Sequence, residues 1–299
     1  MRKIILTLCS LLIIVSTTGA CEICGCGIGN HYIGLLPQFN HHFLGLRYRV
    51  SRFNTVIKNS PDQFSKDFYQ TIELWGGWNI GSRWQVLAFM PYNIVYQRSD
   101  DGVTHHNGAG DGSFLVNYKL LNKISPNKTS QQVWLGAGIK LPTGRFSIDP
   151  SNPDIAAIAN SQVGSGSTDF IFNLSYTIQH DRIGVSSSAS YKVNTSNKND
   201  YRFGNHFSAN SFAFYSMPAS KVTIMPNAGV LFDYASMNYL AKDKIQLTGG
   251  NILMAAGGVE VSIRNVNMGV SVQAPLSQNF AEGQTKTRIK GLVHVTFAF

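Results

Sequence analysis

The chain has 299 residues, of which 14% are charged and 11% aromatic, with 28 glycines and a formal net charge of +9. The charged fraction lies below the roughly 25% of ordinary soluble domains, and a mean hydropathy of −0.04 argues against a bundle of membrane-spanning helices. Basic residues occur singly and not in runs, which argues against nucleic acid as a partner. This composition favours a membrane β-barrel, whose strands are apolar on only one face.

Residues 1–20 predict a cleaved export signal. Arg2 and Lys3 precede the apolar stretch Ile4–Val15, and Thr18-Gly19-Ala20 supplies small residues before the expected cut. The apolar stretch is shorter than the about 20 residues that cross a bilayer as a helix. An exported chain without a spanning helix is periplasmic, secreted or an outer-membrane barrel.

Residues 21–40 form a segment rich in cysteine and glycine, which we predict to be either a periplasmic segment or a plug of the barrel. It contains a CxxCxC pattern made of Cys21, Cys24 and Cys26. Thiolates this close together suit Cu(I) or Zn(II), and His31 could complete a site. Three alternatives stay open: lipidation of Cys21, a disulfide between Cys21 and Cys24, and a segment that binds no metal.

From residue 41 onward, apolar and polar residues alternate with the period of β-strands. The closing stretch shows it clearly, since Val293 and Val295 alternate with His294 and Thr296 up to the final Phe299. We predict twelve strands: His42–Phe53, Asp67–Ile80, Trp84–Gln97, Gly112–Leu121, Gln132–Leu141, Thr168–Gln179, Ile183–Val193, Phe207–Met217, Lys221–Tyr234, Gly250–Arg264, Asn267–Pro275 and Arg288–Phe299.

The connections between these strands alternate between short and long. Asn79–Arg83 and Gln179–Arg182 are short, whereas Arg98–Gly110 and Gly144–Gly166 are long and polar. Membrane barrels have short periplasmic turns and longer outer loops. The sequence therefore predicts an all-β fold: one transmembrane antiparallel barrel over residues 41–299, in the bacterial outer membrane, with both termini periplasmic. Outer-membrane lipid would contact its wall, and Phe299 would be recognised by the barrel-assembly machinery.

The same alternation assigns the charged residues of the strands to the interior or the rim. A charge on the lipid-facing side costs about 2–4 kcal/mol near the middle of the bilayer. Bases outnumber acids in this set, so the interior either tolerates anions or pairs its bases with the acids across a closed lumen. The set comprises Arg47, Arg49, Glu73, Lys119, Lys140, Asp169, Lys192, Glu260, Lys290 and His294.

Three glycine-containing motifs resemble the pattern of the MetA-pathway phenol-degradation family. They are Gly110-Asp111-Gly112, the stretch GIKLPTG at 138–144, and the stretch GSGSTDF at 164–170. The opening CEICGCG, with the later GLLPQF and GLRYR, resembles uncharacterised outer-membrane proteins of the Bacteroidetes type. The resemblance implies an outer-membrane barrel with a transport role, and it assigns no substrate and no binding residues. Turn chemistry accounts for the glycines and for Pro142, which favours a structural role for these motifs.

The sequence contains no GxSxG, P-loop, HExxH or EF-hand pattern, and we expect no enzymatic activity. The leading hypothesis is a barrel that passes or binds a small solute. One alternative is capture or export of a soft metal, copper or zinc, through the cysteine pattern. Another is a structural or adhesion barrel whose long loops make the contacts.

Overall fold

The computed structural model describes residues 41–58, 60–100, 102–149 and 155–299. The predicted signal peptide and the cysteine segment lie outside these residues. Among the described residues, no helix is both long and apolar enough to cross a membrane. The strands are β1 Phe43–Ile57, β2 Ser60–Ile80, β3 Trp84–Ser99, β4 Gly102–Ala109, β5 Ser113–Ile124, β6 Thr129–Lys140, β7 Asp169–His180, β8 Ile183–Val193, β9 Tyr201–Arg202, β10 His206–Tyr215, β11 Met217–Ala219, β12 Val222–Ala235, β13 Tyr239–Leu240, β14 Asp243–Lys244, β15 Gly250–Ile263, β16 Val266–Phe280, β17 Thr285–Thr287 and β18 Lys290–Ala298.

Twelve of these strands form the wall, and every wall strand is antiparallel to its neighbours. They follow the chain in the order β1, β2, β3, β5, β6, β7, β8, β10, β12, β15, β16 and β18. The last strand, β18, pairs with β16 on one side and with β1 on the other, which closes the cylinder. The prediction of a single antiparallel barrel of about twelve strands is confirmed.

The register of the strands shows how the cylinder closes. Paired residues can be followed from Phe43 around the wall through Gly77 and onward to Phe280, Thr285 and Thr55. One circuit therefore returns to β1 twelve residues further along (55 − 43 = 12). Strand number and stagger set the tilt and diameter together, and a tilt of about 35–45° is usual. Barrels of this size lie between small ones filled by side chains and wide ones filled with water.

The two faces of the wall differ as the alternation predicts. In β18, Val293 and Phe297 are 51% and 53% exposed on the outside, whereas Leu292, His294 and Thr296 are buried inside. The same pattern recurs in the other wall strands, so the outside is a continuous apolar surface of a size that soluble proteins avoid. Lipid is the medium that such a surface fits.

The inward face carries apolar clusters beside its polar residues. One cluster includes Trp75, Phe89 and Phe43, and a larger one includes Phe53 and Met254. The inside of the wall is therefore amphipathic and is not a uniformly polar channel lining.

The long connections contain more ordered structure than the sequence predicts. β1 continues to Ile57, and β2 already begins at Ser60. Most of residues 54–66, which the sequence places in a loop between the first two predicted strands, therefore form a hairpin. A short helix, α1 Ile155–Ser161, and a three-stranded sheet of β9, β13 and β14 occupy other loops. An apolar cluster packs two of these connections together, and Leu240 and Ile245 of a third connection pack against it. The cluster consists of Phe146, Ile148, Ile155, Ala159, Tyr201 and Phe203.

Candidate functional site

All ten charged positions assigned to the interior or rim lie on the inward face. Nine residues are 9% exposed or less, and the Arg49 side chain is 21% exposed. Their part in function stays a prediction. The nine are Arg47, Glu73, Lys119, Lys140, Asp169, Lys192, Glu260, Lys290 and His294.

Three of these residues form one ion-pair group, which we call the arginine–glutamate cluster: Arg47, Arg49 and Glu73. Arg47 lies directly across from Glu73 on the neighbouring strand, and Arg49 shares its face two residues further along. The Arg47 Nε donates to Glu73 Oε2 at 2.8 Å, and its Nη2 donates to the same oxygen. The Arg49 Nη2 donates to Glu73 Oε1 at 3.1 Å. One carboxylate therefore neutralises part of the charge of two guanidinium groups, and side chains alone make these contacts.

Aromatic rings lie against the arginine–glutamate cluster. The Arg47 guanidinium carbon is 4.8 Å from the centre of the Trp75 ring and 5.7 Å from that of Phe89. A cation over a ring face at this distance is attracted by the ring quadrupole, by about 2 kcal/mol when desolvated. The Trp75 Nε1 is buried and has no hydrogen-bond acceptor among the described residues. A donor of this kind calls for an explanation, because buried polar atoms are usually paired.

A second pair of ionisable side chains lies beside this cluster. The His294 Nε2 and Glu260 Oε2 are 3.0 Å apart, although their geometry does not meet hydrogen-bond criteria. Gly269 lies between them and is the strand partner of both. A Cβ at Gly269 would be 2.3 Å from Glu260 Oε2, so the missing side chain lets the glutamate reach across the strand. The His294 ring also meets Trp75 edge to face at 6.4 Å, which links the pair to the cluster.

A different arrangement, which we call the mouth cluster, surrounds Lys140 at the end of the barrel with the long connections. The Lys140 Nζ lies 2.8 Å from Asp111 Oδ2 and 2.7 Å from Asp169 Oδ2, and it donates to Ser165 Oγ. Three motifs noted in the sequence supply these residues, and they meet here.

The carboxylates of the mouth cluster also bind backbone. Asp111 accepts from the Gly144 N–H at 3.0 Å and from the Ser165 N–H at 2.8 Å. Asp169 accepts from the Thr195 N–H at 3.0 Å. A Cβ at Gly144 would lie 2.7 Å from the Gly164 Cα, so close contact of the chains requires glycine. The mouth cluster thus anchors two long connections, as the structural interpretation of these motifs expects.

Two of the three remaining inward bases lie over aromatic rings, and the third lies near a histidine. The Lys119 Nζ is 4.6 Å from the Trp134 ring centre, and the Lys290 Nζ is 5.4 Å from that of Phe53. Lys192 lies close enough to His206 for an electrostatic interaction, as do Lys290 and Asp233.

Sequence reasoning missed three inward acids, Asp67, Asp111 and Asp233. Asp67 and Asp233 are 4% exposed, and the Asp111 side chain is 6% exposed. Asp233 stands between the outward Phe232 and Tyr234, so the alternation could have found it. With these three, the inward lysines and arginines of the described residues number six, and the acids also number six. The excess of bases in the sequence-based set therefore disappears.

The predicted metal site cannot be placed, because Cys21, Cys24, Cys26 and His31 lie outside the described residues. Within the residues that are described, no group of three or more His, Cys, Asp or Glu side chains is arranged to hold a metal ion. Binding of Cu(I) or Zn(II) stays a prediction.

A model of the family described as "Putative MetA-pathway of phenol degradation" matches residues 62–236. No curated protein matches the chain. Among solved structures, an outer-membrane channel from Pseudomonas putida F1 is similar with a TM-score of 0.62, at 12% identity over 87% of this chain and 96% of that one. The transport unit of the Escherichia coli autotransporter AIDA-I has a TM-score of 0.52 at 10% identity, over 91% and 95% of the two chains. The β domain of the Bordetella autotransporter BrkA has a TM-score of 0.51 at 9% identity, over 87% of this chain and 100% of that one.

Proposed function

Since the family model spans more than half of the chain, we infer that the protein belongs to this phenol-degradation family. From that premise we propose that it passes a small uncharged solute, with an aromatic ring or another apolar group, through the outer membrane. The long connections would face outward and both termini would face the periplasm, as in other outer-membrane barrels. Docking of Phe299 to the assembly machinery belongs to the same proposal.

The balance of charge inside the barrel supports an uncharged solute. The arginine–glutamate cluster has one base more than acids, the mouth cluster has one acid more than bases, and the two differences offset each other. A lumen lined by one sign of charge concentrates the opposite ion, whereas paired charges leave little net field. This balance is the observation on which the choice of an uncharged solute depends.

Unpaired polar atoms support a solute that also carries a hydroxyl group. The Trp75 Nε1 offers a donor, and the amide oxygens of Asn117 and Asn173 have no donor among the described residues. Both amides point toward Gly136, where a Cβ would lie 1.9 Å and 2.1 Å from these oxygens. A phenolic solute has a ring for the apolar clusters and a hydroxyl for such atoms, and the description of the family includes phenol.

The test uses the purified full-length protein in planar bilayers. We expect an ion current with a reversal potential near zero in a salt gradient, because the described interior charges balance. Phenol should reduce this current at lower concentrations than benzoate, which has the same ring and a negative charge, or cyclohexanol, which has the hydroxyl without the aromatic ring.

Liposomes without protein serve as the control for solute effects on the bilayer itself. Absence of any current together with absence of liposome swelling in small neutral solutes would contradict the proposal. A strong preference for anions would contradict the neutral lumen, and equal block by benzoate would contradict an uncharged solute.

A further inference from the structure

Six exposed bases lie on the outer surface of one arc of the wall, at the end with the long connections. They belong to β1, β2, β3 and β17 and to the residues that flank these strands. We call this set the basic arc, and it consists of Arg52, Lys58, Lys66, Arg98, Lys286 and Arg288.

The register places most of the basic arc on neighbouring strands and on one face. Lys66 is the direct partner of Arg98 on β3 and of Asn54 on β1, and Asn54 is the partner of Lys286 on β17. Directly opposed residues on one face have Cβ atoms about 4.5–5.5 Å apart, and like charges at such positions are destabilising. Lys66 and Arg98 therefore repel each other unless an anion lies between them.

The charges of the basic arc are not neutralised within the described part of the chain. No member of the arc forms an ion pair with a described acid. The Arg52 guanidinium carbon lies 4.8 Å from the Phe68 ring centre, and the Lys58 Nζ donates to the Glu282 carbonyl at 2.9 Å. These contacts position the cationic groups of Arg52 and Lys58 without neutralising their charge.

The basic arc begins where the lipid-facing surface ends. Along the outer face of β1, Leu46 and Tyr48 are 50% and 38% exposed, and Arg52 follows toward the long connections. On β3, the outward Tyr92 is 44% exposed, and Arg98 follows it toward the long connections. Aromatic residues mark the membrane interface of barrels, so the bases stand at the level of the lipid head groups.

A groove lies between several of these bases. It has a volume of about 400 Å³, and its lining includes Lys58, Lys286 and Arg288 beside the apolar Val56. Ile289, next in the chain, is 62% exposed. The groove therefore presents cationic and amide groups, and the exposed apolar side chains Val56 and Ile289 lie beside it. A phosphate group fits the cations, and an acyl chain fits the apolar side chains.

The wall strands on the opposite side carry no such bases at their outward positions. On β7, β8, β10 and β12 the outward residues toward the long connections are Phe170, Tyr191, Phe207 and Tyr234. Bases on that side, among them Arg202, Lys242 and Lys244, belong to the long connections and not to the wall strands.

We propose that the basic arc binds the phosphate groups of a phosphorylated glycolipid of the outer leaflet, with its acyl chains along β1, β2 and β18. Arginine forms paired hydrogen bonds with phosphate, and lysine supplies point charge. The site lies outside the lumen and is independent of the solute that passes through it.

The experiment measures binding of diphosphoryl lipid A to the full-length protein in an uncharged detergent by native mass spectrometry. A triple variant removes three bases of the arc: Arg52→Gln, Lys66→Gln and Arg98→Gln. A matched control removes three exposed bases at the short-turn end: Lys123→Gln, Arg182→Gln and Lys221→Gln. We expect the triple variant to bind about tenfold more weakly, because it loses three charge contacts, and the control to bind like the unchanged protein.

Three further arms identify the ligand chemistry. Dephosphorylated lipid A and inorganic phosphate should each bind at least tenfold more weakly than diphosphoryl lipid A, since each lacks half of the proposed contacts. The assignment would be overturned if dephosphorylated lipid A, inorganic phosphate or phosphatidylglycerol bound as tightly as diphosphoryl lipid A. It would also be overturned if the arc variant and the control variant lost the same affinity for diphosphoryl lipid A. Ion current through the arc variant should be unchanged, which separates this site from solute passage.

Discussion

The mouth cluster and the arginine–glutamate cluster are both buried groups of opposite charges, yet they are held in different ways. The carboxylates of Asp111 and Asp169 accept hydrogen bonds from backbone N–H groups of the long connections. The carboxylate of Glu73 contacts the side chains of Arg47 and Arg49. Charges that are tied to backbone hold the chain in place, whereas side chains that contact only side chains can change rotamer. We therefore expect the arginine–glutamate cluster, and not the mouth cluster, to respond to the proposed solute.

The largest expected effect is loss of stability on breaking the mouth cluster. Asp111→Ala leaves Lys140 with one carboxylate fewer and removes the acceptor of the Gly144 and Ser165 N–H groups. We expect a loss of about 3–5 kcal/mol in the free energy of unfolding, as for other broken buried pairs. Urea unfolding in detergent micelles measures it, with the exposed Asp100→Ala as control. A loss no greater than that of the control would show that the cluster does not hold the connections.

Glu73→Gln should affect conduction more than the mouth variant does. The substitution leaves two inward arginines with a neutral partner, so the reversal potential in a salt gradient should shift toward anion selectivity. We expect a smaller loss of stability, about 2–3 kcal/mol, because glutamine keeps an acceptor. Asp111→Asn serves as the comparison, and an equal shift in that variant would remove the functional distinction between the two clusters.

Gly269→Ala tests the space that Glu260 needs to reach His294. The added Cβ would be 2.3 Å from Glu260 Oε2, so the carboxylate must move away from the histidine. We expect a cost of about 1–3 kcal/mol, as for other overpacked sites. Gly257→Ala is the matched control on the adjacent strand, because the nearest atom to its Cβ would be 3.9 Å away. Equal unfolding midpoints for the two variants would contradict the close packing around Gly269.

The smallest effect on folding is expected for Trp75→Phe, which removes a buried N–H that has no acceptor among the described residues. If this N–H binds the solute hydroxyl, block of the current by phenol should weaken by a factor of about 2–10, the value of one hydrogen bond. Trp78→Phe, at an outward position that is 44% exposed, should leave block unchanged. Unaltered block in Trp75→Phe would exclude the indole as a solute contact.

The inward positions could be predicted because lipid imposes the strand period. A strand such as β8 begins and ends at the residues that the sequence indicates, Ile183 and Val193. The same period places Arg47 and Lys140 inside, since a charge in the apolar layer is costly. Asp111 escaped this reasoning, because it lies in an irregular segment where no period applies.

The amino-acid sequence by itself determined which face of each strand is apolar, and hence a cylinder with charges directed inward, because a period of two is a local property. Only the tertiary structure decided which charges meet. Asp111 and Ser165 are 54 residues apart along the chain, and Glu260 reaches His294 across a strand that carries glycine between them. Such contacts depend on the stagger with which the sheet closes, and no single strand encodes that stagger.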